Sequence, residues 1–197
     1  MNKITFYHAC ATGDIEWKKL IEFRKDPHLV RLQAIQCDSD TEEILQKFDL
    51  IIKPLGWEVP PESAQLYGVD HELAEDIGIP EVLALEMLID LTAGGDRVCY
   101  DRYLGMEIIK VGLERYPGTF SREDIDRWSD GYGHICARLM ANNAMGGVCS
   151  LMRAYNYFLG NQLNKVGPVP KKINGKSSVD ICMKLYFAMK KSGSKFR

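Results

Sequence analysis

The sequence predicts an all-α or mostly α protein, an irregular multi-helix globular domain with room for short strands near the N-terminus. Apolar residues recur at helical spacing along most of the 197 residues, and Gly or Pro residues end several of these stretches. The apolar fraction of 46% and the charged fraction of 26% are those of an ordinary globular protein. A chain of this length can bury an adequate core without a metal or a disulfide.

Residues 1–50 predict a small N-terminal helical unit. Residues 14–24 place apolar side chains on one helical stripe, and residues 39–42 match a capping box before a second apolar face. The short apolar runs at 4–8 and 29–35 fit a strand as well as a helix, because such runs do not separate the two.

A Pro- and Gly-rich connection is predicted at 51–68, because five Pro or Gly residues there exclude one regular element. The main helical body is predicted at 69–166, and a stiff linker plus a basic C-terminal helix at 167–197. The helices expected in the body are 70–77, 80–91, 96–116, one that begins after Ser121, 134–145 and 148–163.

The stretch Leu73–Pro80 and the helix after it resemble a helix-turn-helix. A small Ala and a Gly four residues later allow two helices to cross closely. The second helix, however, carries carboxylates and lacks the Arg, Lys, Asn or Gln side chains that contact bases and phosphates. The sequence therefore predicts a packed helical pair rather than a DNA reader.

Six cysteines are spread along the chain, at positions 10, 37, 99, 136, 149 and 182. The N-terminus has no secretory signal pattern and no stretch reaches the length of a membrane span, so we expect reduced, buried thiols and a cytoplasmic location. The only close His/Cys pairs are His8-x-Cys10 and His134-x-Cys136, which share a face on a strand but not on a helix. No metal site and no cofactor are predicted.

No catalytic or nucleotide-binding motif is present in the sequence. The one unusual stretch is Asn142–Gly147, where two amides and two glycines fall between apolar helices. Either it ends a helix, or it forms a small pocket with His134, Asn142 and Asn143.

Charge is distributed unevenly along the chain. Residues 171–197 carry eight Lys or Arg and one acid, a net charge of +7, so the remainder must carry −9 to give the total of −2. Residues 70–90 contain seven acids and no Lys or Arg. Such polarity is typical of proteins that bind charged partners or associate with themselves.

These observations favour binding over catalysis, with a protein-interaction or regulatory module as the main hypothesis and a protein as the partner. The residues predicted to contact it are Lys171, Lys172, Lys176, Lys190 and Lys191 on the basic segment and Glu72, Glu75, Glu81 and Glu86 on an acidic face. Two alternatives stay open: nucleic-acid binding through residues 171–197, and a small enzyme with a pocket near Asn142–Gly147. A homo-oligomer is also compatible with the charge pattern.

Overall fold

The computed structural model describes residues 2–15, 26–160 and 178–193, and these residues form a mixed α/β fold rather than a mostly α one. The strands are β1 (Lys3–Ala11), β2 (Leu29–Asp38), β3 (Ile44–Ile51), β4 (Asp96–Cys99) and β5 (His134–Cys136). The helices are α1 (Pro61–Tyr67), α2 (His71–Ile77), α3 (Glu81–Thr92), α4 (Arg102–Glu114), α5 (Arg122–Ser129), α6 (Ala137–Met145), α7 (Leu151–Leu159) and α8 (Ser178–Lys191). None of these helices has both the length and the apolar content that crossing a membrane requires.

The five strands of the described residues form one sheet in the order β3-β2-β1-β4-β5. The first three pair antiparallel, whereas β4 runs parallel to β1 and β5 parallel to β4. A tight turn joins β2 to β3, and in it the Asp38 Oδ1 atom accepts hydrogen bonds from the backbone N–H groups of Asp40 and Thr41. The predicted capping box at 39–42 is therefore part of a hairpin and begins no helix.

Helices cover both faces of the sheet. Because side chains alternate along a strand, Ile4 and Phe6 of β1 pack towards α6, α7 and α8, while Tyr7 packs with the helices on the other face, α3, α4 and α5. The helix α8 is a core element, with Val179 and Met189 buried.

The all-α prediction is wrong in part because β2 is buried on both faces and because β4 and β5 are very short. All ten residues of β2 are buried, including the polar Arg31, Gln33 and Gln36, so its sequence lacks the regular alternation of apolar and polar residues that identifies a half-exposed strand. The strands β4 and β5 have four and three residues, and each is followed almost at once by a helix. The first residues of the helix predicted at 96–116 form β4, and the first residues of the helix predicted at 134–145 form β5.

Local helix signals were more reliable. Asp70 caps α2 by accepting from the Leu73 N–H, and Ser121 forms a capping box with Asp124 at the start of α5. The helices α2, α3 and α5 confirm the predicted ones. The helix predicted at 14–24 lies mostly outside the described residues, and the connection at 51–68 contains the end of β3 and the whole of α1.

Candidate functional site

A cavity of about 290 Å³ lies at the carboxyl ends of β1 and β4. Its described lining is mostly apolar and comes from both strands and from four helices. The lining residues are Tyr7, His8 and Ala9 on β1, Leu66 and Tyr67 on α1, Cys99, Tyr100 and Asp101 at the end of β4, Leu104 and Gly105 on α4, Leu151 on α7, and Ser178 and Cys182 on α8.

The sheet topology explains why a cavity forms at this position. After β1 the chain continues into β2 and β3 on one side, and it later returns to add β4 on the other side of β1. In open α/β sheets such a switch point leaves a crevice outside the carboxyl ends of the strands, and ligands bind there.

Gly105 lets α4 approach this crevice closely. A Cβ atom at this position would lie 2.7 Å from the Cys99 Sγ atom and 3.3 Å from the Tyr7 ring. Any side chain larger than hydrogen would therefore displace one wall of the cavity.

The charged groups of the cavity are few, and its one described carboxylate is paired. The Asp101 carboxylate lies 2.6 Å from the Arg138 guanidinium. Burial, with the nearby Arg31 cation, lowers the pKa of His8 to about 4, so this imidazole is neutral at physiological pH. The hydroxyl of Tyr7, whose side chain is only 1% exposed, has no hydrogen-bond partner among the described residues.

The thiols around the cavity are protonated. Burial raises the pKa of Cys99 to about 12 and raises that of Cys182 well above its usual value. A buried thiol of this kind is neither a strong nucleophile nor a ready metal ligand at neutral pH, because the thiolate performs both roles. All six cysteines are free and buried.

An ion pair between the buried Arg31 and the exposed Asp49 supports the strand side of the cavity. The Arg31 guanidinium binds both carboxylate oxygens of Asp49 at 2.6 Å and donates a third hydrogen bond to the backbone carbonyl of Tyr67 at 3.1 Å. Although burial alone raises the pKa of Asp49, the hydrogen bonds from Arg31 and Gln33 outweigh it and lower this pKa. The third bond fixes the end of α1, and with it Leu66 and Tyr67, beside the cavity.

The predicted basic contact residues fall into two groups. Lys171, Lys172 and Lys176 lie outside the described residues. Lys190 donates to the backbone carbonyl of Ser39 at 3.1 Å, and Lys191 pairs with Glu42 at 2.8 Å. These two lysines therefore contact the β2–β3 turn of their own chain.

The predicted acidic residues are also divided. Glu72 lies at the exposed N-terminal turn of α2, Glu75 is exposed on the same helix, and Glu86 is half-buried on α3. Glu81 is buried and accepts hydrogen bonds from the backbone N–H of Leu29, from Arg115 and from the hydroxyl of Tyr116. It belongs to the core rather than to an acidic surface.

The residues named for a pocket near Asn142–Gly147 do not contribute to the cavity at the strand ends. His134 is buried on β5 against Tyr7 and Trp128. Asn142 accepts a hydrogen bond from the Cys149 N–H, and Asn143 is exposed. The segment ends α6 through a left-handed Gly146.

Both His/Cys pairs noted in the sequence lie on strands, His8-x-Cys10 on β1 and His134-x-Cys136 on β5. The first pair was a usable signal, since His8 lines the cavity. The other lining residues could not be grouped from the sequence, because they extend from position 7 to position 182.

Comparison with known proteins identifies the fold. No protein-family model matches the sequence, and no curated protein does. Among solved structures, a 3′-exonuclease in a study of histone mRNA stem-loop recognition matches with a TM-score of 0.68 and 13% identity, over 100% of this chain and 84% of that one. Exonuclease I matches with a TM-score of 0.65 and 14% identity, over 97% of this chain and 41% of that one.

The chain has the fold of these exonucleases. It spans about two fifths of the length of the exonuclease I chains that it matches. These matches overturn the main sequence-based hypothesis of an α-helical, protein-binding regulatory module, because they are matches to α/β exonuclease structures. At this level of identity the likeness establishes the fold alone.

The described residues do not fit the metal site that this fold suggests. One matching structure is the zinc-bound form of an E. coli exonuclease I complex with single-stranded DNA, with a TM-score of 0.66 and 13% identity over 98% of this chain and 41% of that one. Among the described residues of this chain, no group of three or more His, Cys, Asp or Glu side chains could hold a metal ion. Asp101, the described carboxylate of the cavity, is already paired with Arg138.

Proposed function

We propose that this domain binds the end of a single-stranded polynucleotide, with the terminal nucleotide in the cavity at the carboxyl ends of β1 and β4. The observation that carries the proposal is the match to 3′-exonucleases over 97–100% of the chain, together with a cavity at the switch point of the sheet. One matched structure is a complex with single-stranded DNA. Another comes from work on the recognition of a histone mRNA stem-loop.

The charge of the sequence supports this proposal. Residues 161–177 contain four lysines and no acid, and the chain leads from them directly into Ser178, which lines the cavity. Polynucleotide binding draws much of its free energy from cations that neutralise phosphates. The chain thus carries positive charge in the sequence next to a cavity that has little charge of its own.

The cavity walls also suit a nucleobase. Leu66 is 58% exposed at the end of α1, and Tyr67 and Leu104 lie beside it in the lining. Bases stack on aromatic and apolar side chains with little dependence on sequence, because every base has a π-face. We therefore expect binding that is tolerant of sequence and selective for an unpaired end.

Fluorescence anisotropy tests the proposal with labelled DNA and RNA of about 12 nucleotides, a blunt duplex and a circular single strand as competitor. The linear single strands should bind, with an affinity that falls as salt increases. The duplex and the circle should compete poorly, because neither offers an unpaired end. Absence of binding to either linear strand at low salt would refute the proposal.

The variant that tests the position of the ligand is Leu66→Glu, because it places a negative charge at an exposed residue of the cavity. Leu55→Glu is the matched control, because Leu55 is 64% exposed and lies outside the cavity lining. We expect Leu66→Glu to weaken binding about tenfold or more while Leu55→Glu leaves it unchanged. Equal effects of the two variants would place the ligand elsewhere on the surface.

A further inference from the structure

We propose that the cavity holds its nucleotide without a catalytic metal ion, so that the domain binds a polynucleotide end and leaves the phosphodiester bonds intact. This inference rests on the proposed function and concerns the same site. Nucleases commonly position two divalent cations on the scissile phosphate, and Mg²⁺ requires hard oxygen ligands at close to octahedral geometry. The question is whether the cavity can supply such ligands.

The described lining supplies one carboxylate, that of Asp101, and this carboxylate already forms an ion pair. Its carboxylate lies 2.6 Å from the Arg138 guanidinium. A metal ion at this position would have to displace the guanidinium or accept a positive charge beside it. Two cations on one phosphate would need several further oxygen ligands.

The histidine and the cysteines of the described lining are neutral. His8, Cys99 and Cys182 line the cavity, and burial keeps both thiols protonated. Imidazole and thiolate are ligands for softer metals such as zinc, whereas Mg²⁺ prefers carboxylate oxygens. The wall therefore offers Mg²⁺ little to bind.

The sequence next to the cavity does not restore the missing ligands. Residues 161–177, which lead into α8, contain no Asp, Glu, His or Cys. The other internal stretch outside the described residues, 16–25, contains two carboxylates, Glu16 and Glu22. Asp101 therefore remains the one carboxylate of the described lining.

A neutral donor takes the place of metal coordination in recognising the ligand. The hydroxyl of Tyr7 is buried, it lacks a partner among the described residues, and it lies at the cavity wall next to Gly105. Burial raises the pKa of Tyr7 well above its usual value, so the hydroxyl keeps its proton. A sugar or base oxygen of the terminal nucleotide is the acceptor that would satisfy it.

The experiment measures binding and integrity of the same labelled single strand in EDTA, in Mg²⁺ and in Mn²⁺. We expect affinities that agree within about twofold and a strand of unchanged length after prolonged incubation. Calorimetric titration with Mg²⁺, Mn²⁺ or Zn²⁺ alone should show no stoichiometric binding. Affinity that requires the metal, or progressive shortening of the strand that EDTA stops, would overturn the inference. Failure to bind in every buffer would instead refute the proposed function.

Tyr7→Phe tests the hydroxyl, because it removes one oxygen and keeps the ring. We expect binding to weaken about three- to tenfold without any loss of thermal stability, since the hydroxyl has no described partner to lose. Tyr132→Phe is the control, as Tyr132 is 88% exposed and away from the cavity lining. Unchanged affinity of Tyr7→Phe would overturn the assigned role of this hydroxyl, and a lowered melting temperature would show that it serves the fold instead.

Discussion

Polar side chains at the two ends of the sheet differ in whether they have partners within the protein. At the amino end of β1, the Lys190 and Lys191 side chains of α8 bind Ser39 and Glu42 in and beside the β2–β3 turn. At the carboxyl end, the Tyr7 hydroxyl is unpartnered among the described residues and His8 is held neutral. The two lysines at one end complete the fold, whereas the Tyr7 hydroxyl towards the other end is left for a ligand.

The two ends of α8 lie at opposite ends of the sheet. Ser178 and Cys182 bring the beginning of α8 to the cavity, while Lys190 and Lys191 lie at the opposite end of that helix. A helix of 14 residues spans about 20 Å, so its two ends cannot serve one compact site. We therefore expect lysines before Ser178 to affect binding and lysines at the end of α8 to affect stability.

The largest effect is expected from Glu81→Ala, which breaks the framework of the carboxyl end. This buried carboxylate binds Leu29 at the start of β2 and lies 2.6 Å from the Arg115 guanidinium. Its removal leaves Arg115 without a carboxylate to neutralise its charge, and we expect a loss of about 3–5 kcal/mol in the free energy of unfolding. Urea denaturation measures it. Glu86→Ala on the same helix is the control, and an equal loss in both variants would contradict the expected role of Glu81.

Acid should destabilise the protein through His134. Burial, with the cations of Arg97 and Arg102 nearby, lowers the pKa of His134 to about 3 in the folded state, against about 6.5 in the unfolded chain. The unfolded state therefore binds this proton first as the pH falls, and stability decreases below pH 6.5. The expected loss through His134 is about 2 kcal/mol between pH 7.5 and pH 5. His8, whose pKa is lowered to about 4, should add a loss of similar size over the same range.

Urea denaturation across this pH range measures the loss, and the imidazole signals in an NMR titration assign it. Titration of His134 near pH 6.5 in the folded protein would contradict the prediction.

A smaller effect is expected from reversing Lys171, Lys172 and Lys176 to Glu. These residues precede Ser178 in the sequence, and their contacts with phosphates should give binding its salt dependence. We expect affinity for single strands to fall about tenfold at low salt, with the slope of log K against log salt reduced by about 2. Anisotropy titrations at several salt concentrations measure both. An unchanged slope would exclude these lysines from phosphate contact.

The sequence predicted those parts of the fold that depend on local chemistry. Asp70 and Ser121 cap α2 and α5, as their side chains and spacing indicate. The strands depend instead on pairing between residues that lie far apart in the sequence. Arg97 of β4 pairs with Thr5 of β1 and with His134 of β5, and no local pattern marks a strand of four residues between a Gly-Gly pair and a helix.

The site was less predictable than the fold. His8-x-Cys10 was recognised as a pair that shares one face of a strand, but strand pairing and helix packing bring the remaining lining residues to it. The acidic cluster was misleading, because charge alone does not show that Glu81 is buried against Arg115. A sequence shows which side chains carry charge, while packing decides which of them face solvent.

The smallest effect is expected from reversing Lys190 and Lys191 to Glu at the amino end of the sheet. Lys191 is 69% exposed, and exposed ion pairs contribute about 1 kcal/mol or less because water and salt screen them. We expect a slightly lower melting temperature and unchanged affinity for single strands. Lys184→Glu, at an exposed position of the same helix, is the control for added negative charge. If the reversal instead weakened binding and left stability unchanged, both ends of α8 would contact the ligand, and the division between the two ends of the sheet would fail.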